Sequence, residues 1–207
     1  MIIRVPAGQS ITHIFDDAID TQSELVFELE RDSSLELFVV VRGTIPKLSI
    51  SVSLQGENAH ARIRGVYILE HNEAVLIETR QIHQAPHTVS DCSIKGILYD
   101  TSFAEYHGAI YVDPQAHHTQ AAQSNKNILL SSSARAISIP SLEVLTKQVK
   151  CAHGSAVGTI DPEILFYAQS RGLGADQAQK IVLQGFVGEI LDSMPERLVR
   201  EVQDLIR

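Results

Sequence analysis

Lys47-Leu48-Ser49-Ile50-Ser51-Val52-Ser53-Leu54 is the stretch on which the fold class turns. Its apolar residues fall at every second position, and serine hydroxyls or Lys47 fill the alternate ones. Successive side chains leave opposite faces of an extended chain, so this period of two describes a half-buried strand. The pattern extends both ways. Leu35, Leu37, Val39 and Val41 alternate with Glu36, Phe38, Val40 and Arg42 on the N-terminal side. Further strands are expected at 59–69, 74–82, 94–99, 109–112, 127–131 and 142–151. Gly43, Gly56-Glu57-Asn58, His71-Asn72-Glu73, Asp113-Pro114 and Ser131-Ser132-Ser133 punctuate them as turns.

From about residue 24 to residue 158 no helical period intervenes, which excludes a doubly wound sheet with crossover helices. Two all-β architectures remain, an antiparallel sandwich and a solenoid of stacked parallel rungs. Small polar corners such as Gln123-Ser124-Asn125-Lys126-Asn127 lean toward the solenoid. Gly56-Glu57-Asn58-Ala59 and His71-Asn72-Glu73-Ala74 echo one another, but no strict repeat period is found.

Beyond residue 160 the period becomes helical. Asp161-Pro162-Glu163 supplies an N-cap acceptor, a first-turn proline and a carboxylate at the positive dipole end. Arg171-Gly172 supplies the stop. A second helix is expected over 175–193, with Ala178, Ile181, Val182, Phe186, Ile190 and Leu191 near one face. A third begins at Pro195 and carries Leu198, Val199, Val202, Leu205 and Ile206. The chain therefore divides into a β domain, 1–160, and a small C-terminal helical subdomain, 161–207.

Composition narrows the function. The 207 residues are 44% hydrophobic and 20% charged, with a net charge of −8. Acidity argues against nucleic acid as a partner, since phosphate neutralisation needs a basic face. No apolar run reaches the roughly 18–20 residues that cross a bilayer, so no membrane partner is expected. Two cysteines are too few for a disulfide scaffold. Together with the absence of a signal-peptide pattern at Met1-Ile2-Ile3-Arg4-Val5-Pro6, they indicate the cytoplasm.

Nine histidines invite a metal reading. His83 and His87 flank Ala85-Pro86, which rules out a helical zinc pair and leaves solvated or loop histidines. His117-His118 is expected to straddle a strand with its rings on opposite faces. Cys151-Ala152-His153 is the more informative set, because residues two apart on a strand share a side. Thiolate and imidazole together suit zinc, copper or iron–sulfur iron, or a nucleophile–base pair lacking an orienting third residue. Cys92 reads as a core or edge residue. No phosphate loop and no catalytic carboxylate pair are visible, so the chemistry does not indicate an enzyme.

Several ordered motifs then resemble one family. Lys150-Cys151-Ala152-His153-Gly154-Ser155-Ala156-Val157-Gly158, leading to Asp161, resembles the KCSHGATVG…D signature of the SufB/SufD family of SUF iron–sulfur cluster assembly. Leu165-Phe166-Tyr167 with Ser170-Arg171-Gly172 is similar to its LFY-x-x-SRG helix. His83-Gln84-Ala85-Pro86-His87-Thr88-Val89-Ser90 with Lys95-Gly96 resembles its H-x-x-P-x-T-x-S…K segment. Tyr106 to Val112, Ala116 to Gln123, and Ser138-Ile139-Pro140-Ser141-Leu142-Glu143-Val144 resemble three further stretches. The match runs in order from about residue 83 to residue 192.

The resemblance implies a mainly β fold, a right-handed parallel β-helix with the helical subdomain after it. It also implies a non-catalytic assembly role, with a SufC-type ATPase bound through 161–207 and a SufB-type subunit or a second copy paired through the β-helix. Asn125 stands where the SufB partner carries a cysteine, and His153-Gly154-Ser155 stands in place of H-E-A, which places the chain on the SufD-like side. His153 then maps onto the interface histidine that SufD contributes, with Cys151 beside it as a second candidate for metal and cluster contact. No tightly bound cofactor is expected, only a transient iron–sulfur cluster or iron at a subunit interface. The family's acidic pair before the signature is replaced by Lys147-Gln148, and the chain reads as a short form without most of the usual N-terminal region. The rival readings are a stand-alone metal protein using Cys151 and His153, and a β-helical interaction module without cluster chemistry.

Overall fold

A computed structural model of the chain describes residues 2–17 and 23–206. Strands β1 (Ile2–Val5), β3 (Glu24–Leu29), β5 (Ile45–Leu54), β7 (Ala74–His83), β9 (Phe103–Val112) and β11 (Arg135–Val144) form one sheet in that order. Strands β2 (Ser10–Asp16), β4 (Ser34–Val41), β6 (His60–Leu69), β8 (Val89–Leu98), β10 (Gln120–Leu129) and β12 (Lys150–Gly158) form a second. Every pairing is parallel and joins a strand to the next but one. The chain thus alternates between two facing sheets as it climbs, which is a β-helix and not a sandwich.

Ser10, Ser34, His60, Val89, Gln120 and Lys150 occupy equivalent positions, so successive turns take 24, 26, 29, 31 and 30 residues. The drift hides any fixed period in the sequence. The echo of 56–59 in 71–74 joins corners on opposite edges of the β-helix, one from β5 to β6 and the other from β6 to β7.

The corners leading into β2, β4, β6, β8 and β10 share one device. Gly8, Asp32, Asn58, His87 and His118 all adopt positive φ, between 56° and 71°. Glycine, Asn, Asp and His tolerate that region better than most residues. Each amide donates upward to the next turn, as in Asp32 N to Glu57 O at 2.9 Å and His87 N to His117 O at 2.8 Å. Side chains stack as well: Asn58 Nδ2 donates to Asp32 Oδ1 at 3.0 Å, and the His87 and His118 rings lie 4.9 Å apart. His117-His118 therefore belongs to a corner and does not straddle a strand.

Strand limits also differ from the sequence reading. Two strands, β1 and β2, precede residue 24. The expected strands 94–99, 109–112 and 127–131 cover only the C-terminal parts of ten-residue strands, and the first halves of β8 and β10 are largely polar. The expected strand 142–151 spans the end of β11, a corner and the start of β12.

Two apolar layers hold the structure. Leu25, Phe27, Leu37, Val39, Ile50, Val52, Ile63 and Ile77 fill the space between the sheets. Phe38, Val40, Val66, Ile68 and Ile97 point outward from the even sheet and are covered by the C-terminal helices. These helices are α1 (Pro162–Ser170), α2 (Ala175–Leu191) and α3 (Glu196–Leu205). Asp161 caps α1 by accepting from Glu163 N at 2.9 Å, and Gly172 ends it at φ 94°.

The buried face of α2 comprises Ala178, Leu183, Val187, Ile190 and Leu191. Ile181, expected on that face, is half exposed; the sheet meets the next stripe round the helix. Leu198, Val202 and Ile206 seat α3 and the residue after it as expected. An ion cluster fastens α3 to the N-terminal turns. Arg197 Nη1 donates to Asp16 Oδ2 and Arg42 Nη1 to Glu201 Oε2, both at 3.2 Å, while Arg42 also pairs with Asp16.

Candidate functional site

Register turns the interior into columns of stacked side chains. One runs His13, Leu37, Ile63, Cys92, Gln123, His153. Its neighbours run Ile11, Leu35, Ala61, Ser90, Ala121, Cys151 and Phe15, Val39, Gly65, Ile94, Asn125, Ser155. Each column starts mainly apolar and ends polar. Cys151 and His153 thus share the inward face of the last rung, and Asn125 lies beneath Ser155, buried, with its Nδ2 donating to Ile94 O at 3.2 Å.

Below that rung lies a buried hydrogen-bonded relay. His83, fully buried, has Nδ1 2.8 Å from Thr88 Oγ1 and Nε2 2.7 Å from Ser90 Oγ. The Thr88 hydroxyl donates to Ala85 O at 3.0 Å, so it accepts from His83 Nδ1–H. His83 Nε2 is then the acceptor, Ser90 donates to it, and Gln81 Nε2 donates to Ser90 Oγ at 2.6 Å. Burial holds His83 neutral by lowering its pKa to about 4. The reading of His83 as a solvated or loop histidine is therefore corrected. His83 ends β7, where the alternate residues Thr79, Gln81 and His83 are buried although polar, with exposed Arg80 on the outer face between the first two.

A second cluster adjoins the relay. Tyr106 Oη lies 2.7 Å from Thr79 Oγ1 and 3.9 Å from Cys92 Sγ. Burial pushes the Cys92 thiol up to about 12, so it is an inert core thiol. Tyr67 donates to Asn127 Oδ1, and Asn127 Nδ2 donates to Asn125 Oδ1 at 2.9 Å. Two glycines make room. A Cβ on Gly96 would fall 2.2 Å from Tyr67, and one on Gly108 would fall 1.5 Å from Gln123 Nε2.

Above these clusters the β-helix is uncovered. Cys151 is half-buried and His153 exposed, while Ile137, Ile139, Leu142, Leu145 and Val157 are each 40–50% exposed around the same end. Burial raises the Cys151 thiol, opposed by a backbone hydrogen bond at Ala121. Among the described residues no three His, Cys, Asp or Glu side chains gather closely enough to hold a metal ion. A metal at Cys151 and His153 would need further ligands from elsewhere.

The family model for the SUF system FeS cluster assembly SufBD core domain matches residues 16–186. The chain belongs to the SufBD family. An iron–sulfur cluster assembly SufBD family protein of Mycobacterium leprae is 31% identical over 182 residues, 84% of this chain and 46% of that protein. The iron–sulfur cluster assembly protein SufD of Escherichia coli is 30% identical over 159 residues, 77% of this chain and 38% of its own length. A SufBD family protein of Synechocystis is 36% identical over 110 residues, 53% of this chain and 24% of its own. The chain spans under half the length of these relatives.

The SufBD match extends the resemblance seen in sequence from residue 83 back to residue 16. The structure narrows the surface expected within 161–207 to particular side chains. No residue of α1 is buried; Ile164, Phe166 and Tyr167 are 50–73% exposed, and Ile181 of α2 is half exposed as well. Arg171 lies over the Tyr167 ring at 5.1 Å and donates to its hydroxyl at 3.1 Å. In sequence, Leu165-Phe166-Tyr167 was visible only as a resemblance to the family's LFY-x-x-SRG helix. Lys95, from another family-like segment, lies under α2 with Nζ 2.7 Å from Phe186 O and 3.3 Å from Glu189 Oε2. No helix among the described residues is long and apolar enough to cross a membrane.

Proposed function

We propose that this chain is a SufD-like scaffold subunit of SUF iron–sulfur cluster biogenesis, working in the cytoplasm without catalysing a reaction of its own. The uncovered end of the β-helix pairs with a SufB-type subunit or with a second copy. The exposed face of α1 and α2 receives a SufC-type ATPase. Cys151 and His153 stand at the rim of the paired end, where they contribute to a site completed by the other subunit. Iron or a nascent cluster would be cargo there, held transiently.

The observation that carries this reading is the contrast in finish along the chain. The turns from β3 to β9 bury their inward side chains, while the last two strands leave apolar residues and the Cys151–His153 pair open. Large exposed apolar patches mark association surfaces. The exposed Ile164, Phe166 and Tyr167 support the second docking face, as an amphipathic helix offered to a groove.

Deleting 161–207 is a poor test, because it would strip the cover from Phe38, Val66, Ile68 and Ile97. Phe166→Asp with Tyr167→Asp changes exposed residues alone. Co-expression with a SufC-type ATPase should recover the complex with the natural chain and lose it with the double variant. Equal recovery from both would sink the assignment of that face.

A further inference from the structure

We propose that α2 is a hinged helix, bending at Gly185–Gly188, so that α1 and the first half of α2 move as one arm against the sheet and α3. The observations behind it are independent of what docks on α1. Gly185 and Gly188 sit in the interior of a 17-residue helix. Glycine weakens a helix interior relative to alanine by roughly fivefold in equilibrium terms. Close packing does not require either one here, because nothing lies within 4 Å of a Cβ added at Gly185 or Gly188. Two weakening residues three apart therefore stand where alanine would fit.

A side chain from the sheet holds the helix at that place. Lys95, 7% exposed, directs Nζ to the carbonyl of Phe186, between the two glycines, at 2.7 Å. Sharp helix bends occur at such glycine pairs. Lys95 has the Phe186 ring 5.4 Å from its Nζ and the exposed Glu189 carboxylate at 3.3 Å. It clamps the helix in the position seen, through one carbonyl and one largely solvated ion pair.

The two sides of the bend are held unequally. Beyond it, Ile190 and Leu191 are buried, and α3 is tied to β2 and the end of β4 through Asp16, Arg42, Arg197 and Glu201. Before it, α1 has no buried residue and packs through half-buried Leu165, while α2 contributes buried Ala178 and Leu183 with half-buried Val182. The arm is the lightly held side, and it carries Ile164, Phe166, Tyr167 and Ile181. A ligand of that face would act on the arm's position.

The test is a distance distribution between spin labels at Ser170→Cys and Arg200→Cys in the full chain, with Cys151 replaced by serine and Cys92 left buried. A broad or two-component distribution is expected. Gly185→Ala with Gly188→Ala should narrow it, shifting the balance of the components about twenty-five-fold at fivefold per glycine. Lys95→Met should broaden it. A single narrow distance in the parent that neither change alters would overturn the hinge. Loss of ATPase capture by Phe166→Asp with Tyr167→Asp bears only on the docking face, so the two ideas can fail separately.

Discussion

The first turns of the β-helix and the last ones are built on the same rungs but filled differently. Leu37, Ile63, Cys92, Gln123 and His153 stack in one column, and the series passes from buried hydrocarbon to an exposed imidazole. Burial of apolar area supplies stability where the column is hydrocarbon. In the middle, hydrogen-bonded side chains such as His83, Ser90 and Asn127 fill the interior and add little net free energy each, while the buried Gln81 Oε1 and Gln123 Oε1 make no hydrogen bond. At the end neither contribution is complete. The lesson is that burial is unevenly shared along the solenoid axis, and the proposed pairing surface lies where both contributions are incomplete.

Substitutions along that axis can break the contrast. Leu37→Ala should cost about 2–5 kcal/mol in urea unfolding, the range for a large-to-small change in a packed core. A cost below about 1 kcal/mol would mean the first turns are not the stabilising region. In the middle turns, His83 should make stability depend on pH. Its folded pKa is about 4, below the ordinary 6.5, so in acid the unfolded chain takes up a proton that the folded chain refuses. Its contribution is complete above about pH 6.5 and is lost as pH falls toward 4, at up to about 1.4 kcal/mol per unit and roughly 3 kcal/mol in all. Unfolding midpoints measured across that window should lose this slope in His83→Gln; an unchanged slope would remove His83 as its source.

Asn127→Ala leaves the buried Tyr67 hydroxyl without its acceptor and should cost about 1–3 kcal/mol by the same unfolding assay. At the open end, His153→Ala should change stability by less than about 0.5 kcal/mol, as for an exposed side chain away from any packed contact. A loss comparable to that of Leu37→Ala would make His153 a structural residue and erase the distinction between the two ends.

The sequence reading found what alternation and end signals can reveal. Leu48 to Leu54 and the Asp161-Pro162 helix start are local patterns, and both elements stand where they were expected. Parallel pairing was open on pattern alone, because each strand meets its neighbours 24 to 32 residues away and the turn length drifts. Strands β8 and β10 were read too short because inward residues such as Ser90 and Gln123 are polar. Alternation marks an inward position by its hydrocarbon, so a buried polar residue there looks solvent-facing. His83 was misplaced for the same reason, although its partners Thr88 and Ser90 follow within seven residues. Cys151 and His153 were placed on one side of a strand by spacing, and they share the inward columns of the last rung. That this rung is uncovered could not be read locally, since exposure depends on whether another part of the chain returns to cover it.

The most direct test of the scaffold reading is the composition of the complex recovered when the chain is co-expressed with a SufB-type subunit and a SufC-type ATPase. Ile139→Asp with Val157→Asp places charge on the uncovered end and leaves α1 intact. Recovery of the ATPase with loss of the sister subunit is expected from that variant, while the natural chain retains both. A variant complex that still holds the SufB-type subunit in full would contradict the assignment of the open end as the pairing surface.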